Sequence, residues 1–178
     1  MRAYDPTVRK SEDADRERAI WKLLASIPDP EIPVVSVVDL GIIRHVRWMD
    51  SEDGHSVLHV GVTPTYSGCP ATEIIRRSVR TALDEQGHTD AVIDEVLSPP
   101  WTSDWLTDEG RRKLQAFGIA PPETSVTSPR HLLRPPVVIC PRCSSRLTER
   151  ISEFGSTPCK AHYRCRSCLE PFDYFKCL

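Results

Sequence analysis

The sequence predicts an α+β protein, a small mixed sheet of about three strands with packed helices, followed by a C-terminal zinc-ribbon-like module. Three observations predict this. Apolar residues recur at helical spacing around residues 20–27 and 71–83 and alternate along residues 55–62. Residues 119–136 carry five prolines among Ser and Thr and read as a linker. Beyond it, the last 39 residues hold six of the chain's seven cysteines, four of them as two CxxC pairs.

The domain boundaries follow as an α+β domain over 13–118, the linker over 119–136 and the cysteine module over 137–178. In the first domain, Ile20, Leu23, Leu24 and Ile27 mark a helix from about Asp13, with residues 1–12 loose ahead of it. Pro28, Pro30 and Pro33 stop that helix and predict a rigid, mostly extended connection. Residues 34–48 are rich in β-branched types and read as one strand with a bulge or turn at Asp39-Leu40-Gly41. Asp50 to Gly54 is a hairpin loop, and the next strand puts Leu58, Val60 and Val62 on one face and His59 on the other.

A second helix shows Ala71, Ile74, Ile75, Val79 and Leu83 on one side and ends at Gly87. Residues 91–97 are a short strand. Thr107 is the N-cap of a last short helix that Gly118 closes.

The composition narrows the function classes. At 39% hydrophobic residues with 16 prolines, the cores are modest and the connections long. The formal charge of −2 supplies no global field for nucleic acid or anionic membrane. No apolar N-terminal run resembles a signal peptide and no stretch is long enough to span a bilayer, so a cytoplasmic protein is expected. In a reducing cytosol, paired CxxC motifs indicate metal or redox chemistry rather than structural disulfides.

Cys140, Cys143, Cys165 and Cys168 supply four sulfurs from two tight knuckles, the ligand set of a closed tetrahedral zinc site. A short module with so little apolar material needs such a staple to fold. Four cysteinates also suit iron, and spacing alone does not separate a structural zinc from a rubredoxin-like electron-transfer iron. Cys159 and Cys177 are surplus: packed thiols, extra ligands or an occasional disulfide. Arg142, Arg146, Arg150, Arg164 and Arg166, with Tyr163 and Phe172 to stack bases, leave a nucleic-acid-binding ribbon as an alternative. The tail Phe172-Asp173-Tyr174-Phe175 puts aromatics on both sides of a strand, which predicts an exposed face for docking a partner.

Cys69 is the one cysteine of the first domain. Pro70 favours the first helical position, which makes Cys69 the expected N-cap, with helix N–H groups to favour its thiolate. It is either a small buried hydrophobe or a nucleophile, redox sensor or metal ligand. A nucleophile needs a base, and His45, His55 and His59 are the candidates, though no spacing ties them to Cys69. Asp29 and Glu31 are either solvent charges or one wall of a polar site; Asp39 suits a turn; Trp101 and Trp105 cover the core or form an interface.

Two stretches carry a family resemblance. Asp29-Pro30-Glu31-Ile32-Pro33, Val38-Asp39-Leu40-Gly41-Ile42-Ile43 and Thr63-Pro64-Thr65-Tyr66-Ser67-Gly68-Cys69-Pro70 resemble the small domain of SufT-like proteins and eukaryotic cytosolic iron–sulfur targeting factors. With Phe154-Gly155-Ser156-Thr157, Cys159-Lys160, Tyr163-Arg164-Cys165 and the run from Glu170 to Cys177, the two halves together resemble the PaaD (PaaJ) family, accessory subunits of phenylacetyl-CoA epoxidase systems. The resemblance implies a non-catalytic factor that assembles or maintains a metal or iron–sulfur centre. Its recipients would be a di-iron oxygenase subunit or a reductase carrying an iron–sulfur cluster and flavin. It implies Cys69 as the functional thiol beside Asp29, Glu31 and Asp39. A transient iron–sulfur cluster or iron is the expected cargo, and because one cysteine per chain holds a cluster poorly alone, a second copy of the chain or an iron–sulfur carrier is expected to supply the other ligands.

Overall fold

A computed structural model describes residues 6–51, 54–66, 68–122 and 137–176, with side chains from residue 13 onward. The first sheet has three strands: β1 (Ile43–Asp50), β2 (Ser56–Val62) and β3 (Val92–Glu95). β1 and β2 are antiparallel, and β3 joins β2 in parallel, so the sheet is mixed with β2 in the centre. Alternation along β2 buries Leu58 and Val60 and leaves His59 on the other face, as read from the sequence. The parallel pairing requires a crossover, and α2 (Ala71–Glu85) supplies it, burying Ala71, Ile75, Val79 and Leu83.

Helix α1 (Pro6–Leu24) begins seven residues before the expected start, with Pro6 at its first position. Its Ile20 and Leu24 enter the core. Helix α3 (Asp108–Phe117) has the expected caps. The Thr107 side chain accepts from Gly110 N at 2.9 Å, and Gly118 takes the left-handed conformation at φ 91°.

Two expectations for residues 28–48 need correction. The proline-rich segment is a set of turns rather than an extended rod. Asp29 N donates to Val35 O, Val37 N donates to Ile27 O, and Pro28 bridges Ser36, so the chain doubles back at once. Residues 34–42 are likewise not strand. Val35, Val37 and Leu40 are buried, but they turn around Asp39, and the strand begins only at Ile43. β-Branched composition here reports burial, not extension.

The second sheet has the order β4-β7-β6-β5. Its antiparallel strands are β5 (Thr148–Ser152), β6 (Lys160–Cys165) and β7 (Pro171–Phe175). The fourth, β4 (Ile119–Ala120), pairs in parallel with β7. The first two residues of the expected linker therefore belong to the ribbon's sheet. A two-residue strand carries no periodicity of its own, and its partner is over 50 residues away in sequence.

The two cores meet along β7. Phe172 and Tyr174 pack with Tyr163 and Val138 in the ribbon's core. Phe175 points the other way, into the core of the first domain, edge-on to Trp101 at 6.1 Å between ring centroids. The exposed aromatic strand expected from the sequence is thus buried on both faces, and what it docks onto is the chain's own first domain. Trp101 takes the core role, donating from Nε1 to Leu40 O at 2.8 Å.

Candidate functional site: a cavity between the two domains

Three segments of the first domain converge near the start of α2. The Asp29–Ile32 turn is held by its own aspartate: Asp29 Oδ1 accepts from Glu31 N at 2.9 Å and Ile32 N at 2.8 Å. After β2, Thr63 is fully buried and its N–H donates to Ile42 O at 2.9 Å. Cys69 N donates to Tyr66 O at 3.2 Å, and Cys69 O accepts from Thr72 N at 3.2 Å. Pro70, with helical φ −66° and ψ −24°, occupies the N-cap, so Cys69 stands one position earlier than expected. Gly68 is required for its left-handed φ of 79°; a Cβ there would meet open space.

These segments line a cavity of about 20 Å³ together with Cys159 and Phe175 from the ribbon. Asp29, Glu31 and Cys69 all face it, whereas Asp39 is not among the residues that line it. Asp39 instead braces the fold. Its carboxylate accepts from Ser36 N at 2.9 Å and from Lys113 Nζ at 2.7 Å. Burial pushes the Asp39 pKa up, but Lys113 and the Ser36 groups outweigh it and hold the carboxyl below its usual value.

Cys159 is the site residue that its spacing in the sequence does not reveal. It is buried, with Sγ 3.5 Å from Glu31 Oε2 and 3.0 Å from Thr157 Oγ1. Burial and the Glu31 carboxylate push its pKa up to about 11 against the opposing pull of Thr157 and Lys160. Asp29 is also raised, chiefly by burial, with its two backbone N–H bonds acting the other way. Tyr66 completes the surroundings. Its hydroxyl is buried and has no partner in hydrogen-bonding geometry, although the Cys69 thiol is near enough to influence it. Burial first, then Cys69, Glu31 and Cys159, push it up to about 12. Cys177 lies outside the described residues.

No histidine lines this cavity among the described residues. His45 and His59 both turn to Asp94, at 3.4 and 3.0 Å, on the sheet. The geometry therefore brings Cys69 no imidazole base.

The four remaining cysteines form a separate centre. Cys140, Cys143, Cys165 and Cys168 place their sulfurs within 4.8 Å of one another. Cys140 lies 3.7 Å from Cys168, and Cys143 lies 3.5 Å from Cys165. Tetrahedral thiolates about 2.3 Å from zinc stand roughly 3.8 Å apart, so the set fits the ion. Cys165 Sγ also accepts from Ser167 N at 3.4 Å and Cys168 N at 3.5 Å, which favours its thiolate. The residue after each knuckle, Ser144 at φ 58° and Leu169 at φ 63°, is left-handed, a conformation forced by the tight turn.

The arginines of the module are largely paired. Arg142 meets Glu170, Arg150 meets Glu153, and Arg164 donates to Glu149 at 2.9 Å. Tyr163 and Phe172 stack on each other inside the core. A base-stacking cationic face is therefore not what these residues build.

Comparison with known proteins agrees with both halves. Residues 124–176 match the family described as "PaaD zinc beta ribbon domain", and residues 17–93 match "Iron-sulfur cluster assembly protein". The chain is 52% identical over 159 residues to an Escherichia coli (strain K12) protein named as a subunit of 1,2-phenylacetyl-CoA epoxidase, covering 89% of this chain and 92% of that one. It is 33% identical over 105 residues to the "Fe-S protein maturation auxiliary factor" of Porphyromonas gingivalis (strain ATCC BAA-308 / W83), covering 58% of this chain and 95% of that one. The crystal structure of a "Domain of Unknown Function DUF59" from Bacillus anthracis superposes with a TM-score of 0.51 at 22% identity, covering 59% of this chain and 96% of that one, a likeness of fold. The four-cysteine centre is accordingly a structural zinc site, and the chain belongs to the PaaD family, an iron–sulfur-assembly-type α+β domain joined to a zinc ribbon.

Proposed function

We propose that this chain is an accessory factor for the assembly or maintenance of a metal or iron–sulfur centre of a phenylacetyl-CoA epoxidase system, with Cys69 as the thiol that receives and releases the cargo. The relatives' names support the accessory and iron–sulfur part of this reading. The observation that carries the role of Cys69 is its position: half-buried, outside the zinc set, and facing a cavity walled by Asp29 and Glu31.

A transfer site must hold metal loosely. The zinc centre does the opposite, with four thiolates closing the coordination shell. At Cys69 the protein offers a thiol, carboxylates and no closed shell, so a recipient's ligands can enter and displace it. The partners in this reading are the oxygenase or reductase subunits and iron–sulfur carriers. The ribbon, fixed to the first domain through β4 and Phe175, positions the cavity rather than swinging freely.

The test is co-expression with the recipient subunits. Cys69→Ser should leave the fold and the zinc intact while lowering the iron and acid-labile sulfide recovered in the recipients several-fold. Recipients as fully loaded as with the unaltered chain would count against the proposal.

A further inference from the structure

We propose that Cys159 and Glu31, facing Cys69 across the seam between the domains, complete a site for a single divalent first-row transition-metal ion. The inference rests on Cys69 being the cargo thiol and adds what the ribbon contributes to it.

Cys159 stands apart from the zinc sulfurs and faces the first domain. Its neighbours are Glu31, at 3.5 Å, and the core around Phe175. Two sulfurs and a carboxylate oxygen are a donor set suited to borderline ions such as ferrous iron or zinc. The cavity, at about 20 Å³, has room for about one water-sized body. That size suits one ion held among these donors.

The donors are not drawn as tightly as the zinc sulfurs, the one group of three or more donor residues that lie within 4.8 Å of each other among the described residues. Small side-chain rotations must close the shell, so the site is weaker and more labile than the zinc centre. On binding, the S–H bonds of Cys69 and Cys159 are replaced by sulfur–metal bonds and both protons leave to solvent; no change of oxidation state is involved.

Cobalt(II) titrated anaerobically into the full-length, zinc-loaded protein tests this, because thiolate-to-cobalt charge-transfer absorption counts the sulfurs bound. One cobalt beyond the resident zinc should bind with the intensity of two thiolates. Cys159→Ser should halve that intensity and weaken binding at least tenfold with zinc content unchanged. Glu31→Gln, which leaves the ribbon's core untouched, should keep the intensity and weaken binding severalfold. If Cys69→Ser abolishes the band while Cys159→Ser and Glu31→Gln bind cobalt like the unaltered protein, the composite site is wrong and the cargo role of Cys69 stands. If Cys69→Ser also changes nothing, both fall.

Discussion

Cys159 of the ribbon lies 3.5 Å from Glu31 of the first domain, so a thiol and a carboxylate more than 120 residues apart in sequence share one cavity. The contact depends on how the domains are fastened. β4 extends the ribbon's sheet with residues that follow α3, and Phe175 inserts into the core of the first domain.

Phe175→Ala should loosen that attachment. The side chain is 2% exposed against Trp101, and removing a buried Phe costs about 3–5 kcal/mol. Urea unfolding followed by Trp fluorescence should show the variant's transition at lower urea than that of the unaltered chain, or split in two. An unmoved midpoint would show that the domains are not joined through this residue.

Asp29→Asn should preserve the turn and remove a buried charge. Asn keeps the oxygen that accepts from Glu31 N and Ile32 N. The carboxyl's folded pKa is raised by burial above its usual value, so the folded state favours the protonated form. Its contribution to stability is therefore fully present below the unfolded pKa and lost as pH rises through the folded pKa. The Asn variant should be at least as stable as the unaltered chain at pH 7, with the difference narrowing at pH 4 and below. Denaturant midpoints at both pH values check this.

Asp39→Asn has the opposite sign. The folded carboxyl is held below its usual value by Lys113 and Ser36, despite burial. Its stabilisation is present above the unfolded pKa and lost as pH falls through the folded one. The variant should lose about 1–3 kcal/mol at pH 7, and less in acid. The same denaturant series reads it, and cargo binding should be unaffected in the fraction that remains folded.

Much of this is legible in local sequence. Thr107 and Gly118 bracket α3 because capping is decided within one turn of chain, and the four zinc ligands announce themselves by CxxC spacing. Residues 34–42 resemble a strand because their apolar side chains are buried in turns, and composition does not distinguish a buried turn from a buried strand. Cys159 has no such local mark, because nothing in its spacing points to Glu31. The nearest signal is the tail itself: Phe175 falls on the face opposite Phe172 and Tyr174, and a strand with aromatics on both sides needs two cores to cover it.

The zinc centre should behave as structure alone. Cys165→Ser should lose zinc and unfold the ribbon, whereas Cys159→Ser should retain zinc. Leu169→Gly should raise the melting temperature, because Leu169 is 69% exposed and contributes little packing while its left-handed backbone costs about 1–2 kcal/mol. Elemental analysis and thermal melts of the three variants separate these outcomes.

Metal content of anaerobically purified protein tests the central claim most directly. With iron supplied, the unaltered chain should carry one zinc per chain together with additional, easily chelated iron, and Cys69→Ser should keep the zinc and lose the iron. Equal iron in both proteins would contradict the assignment of Cys69 as the cargo thiol.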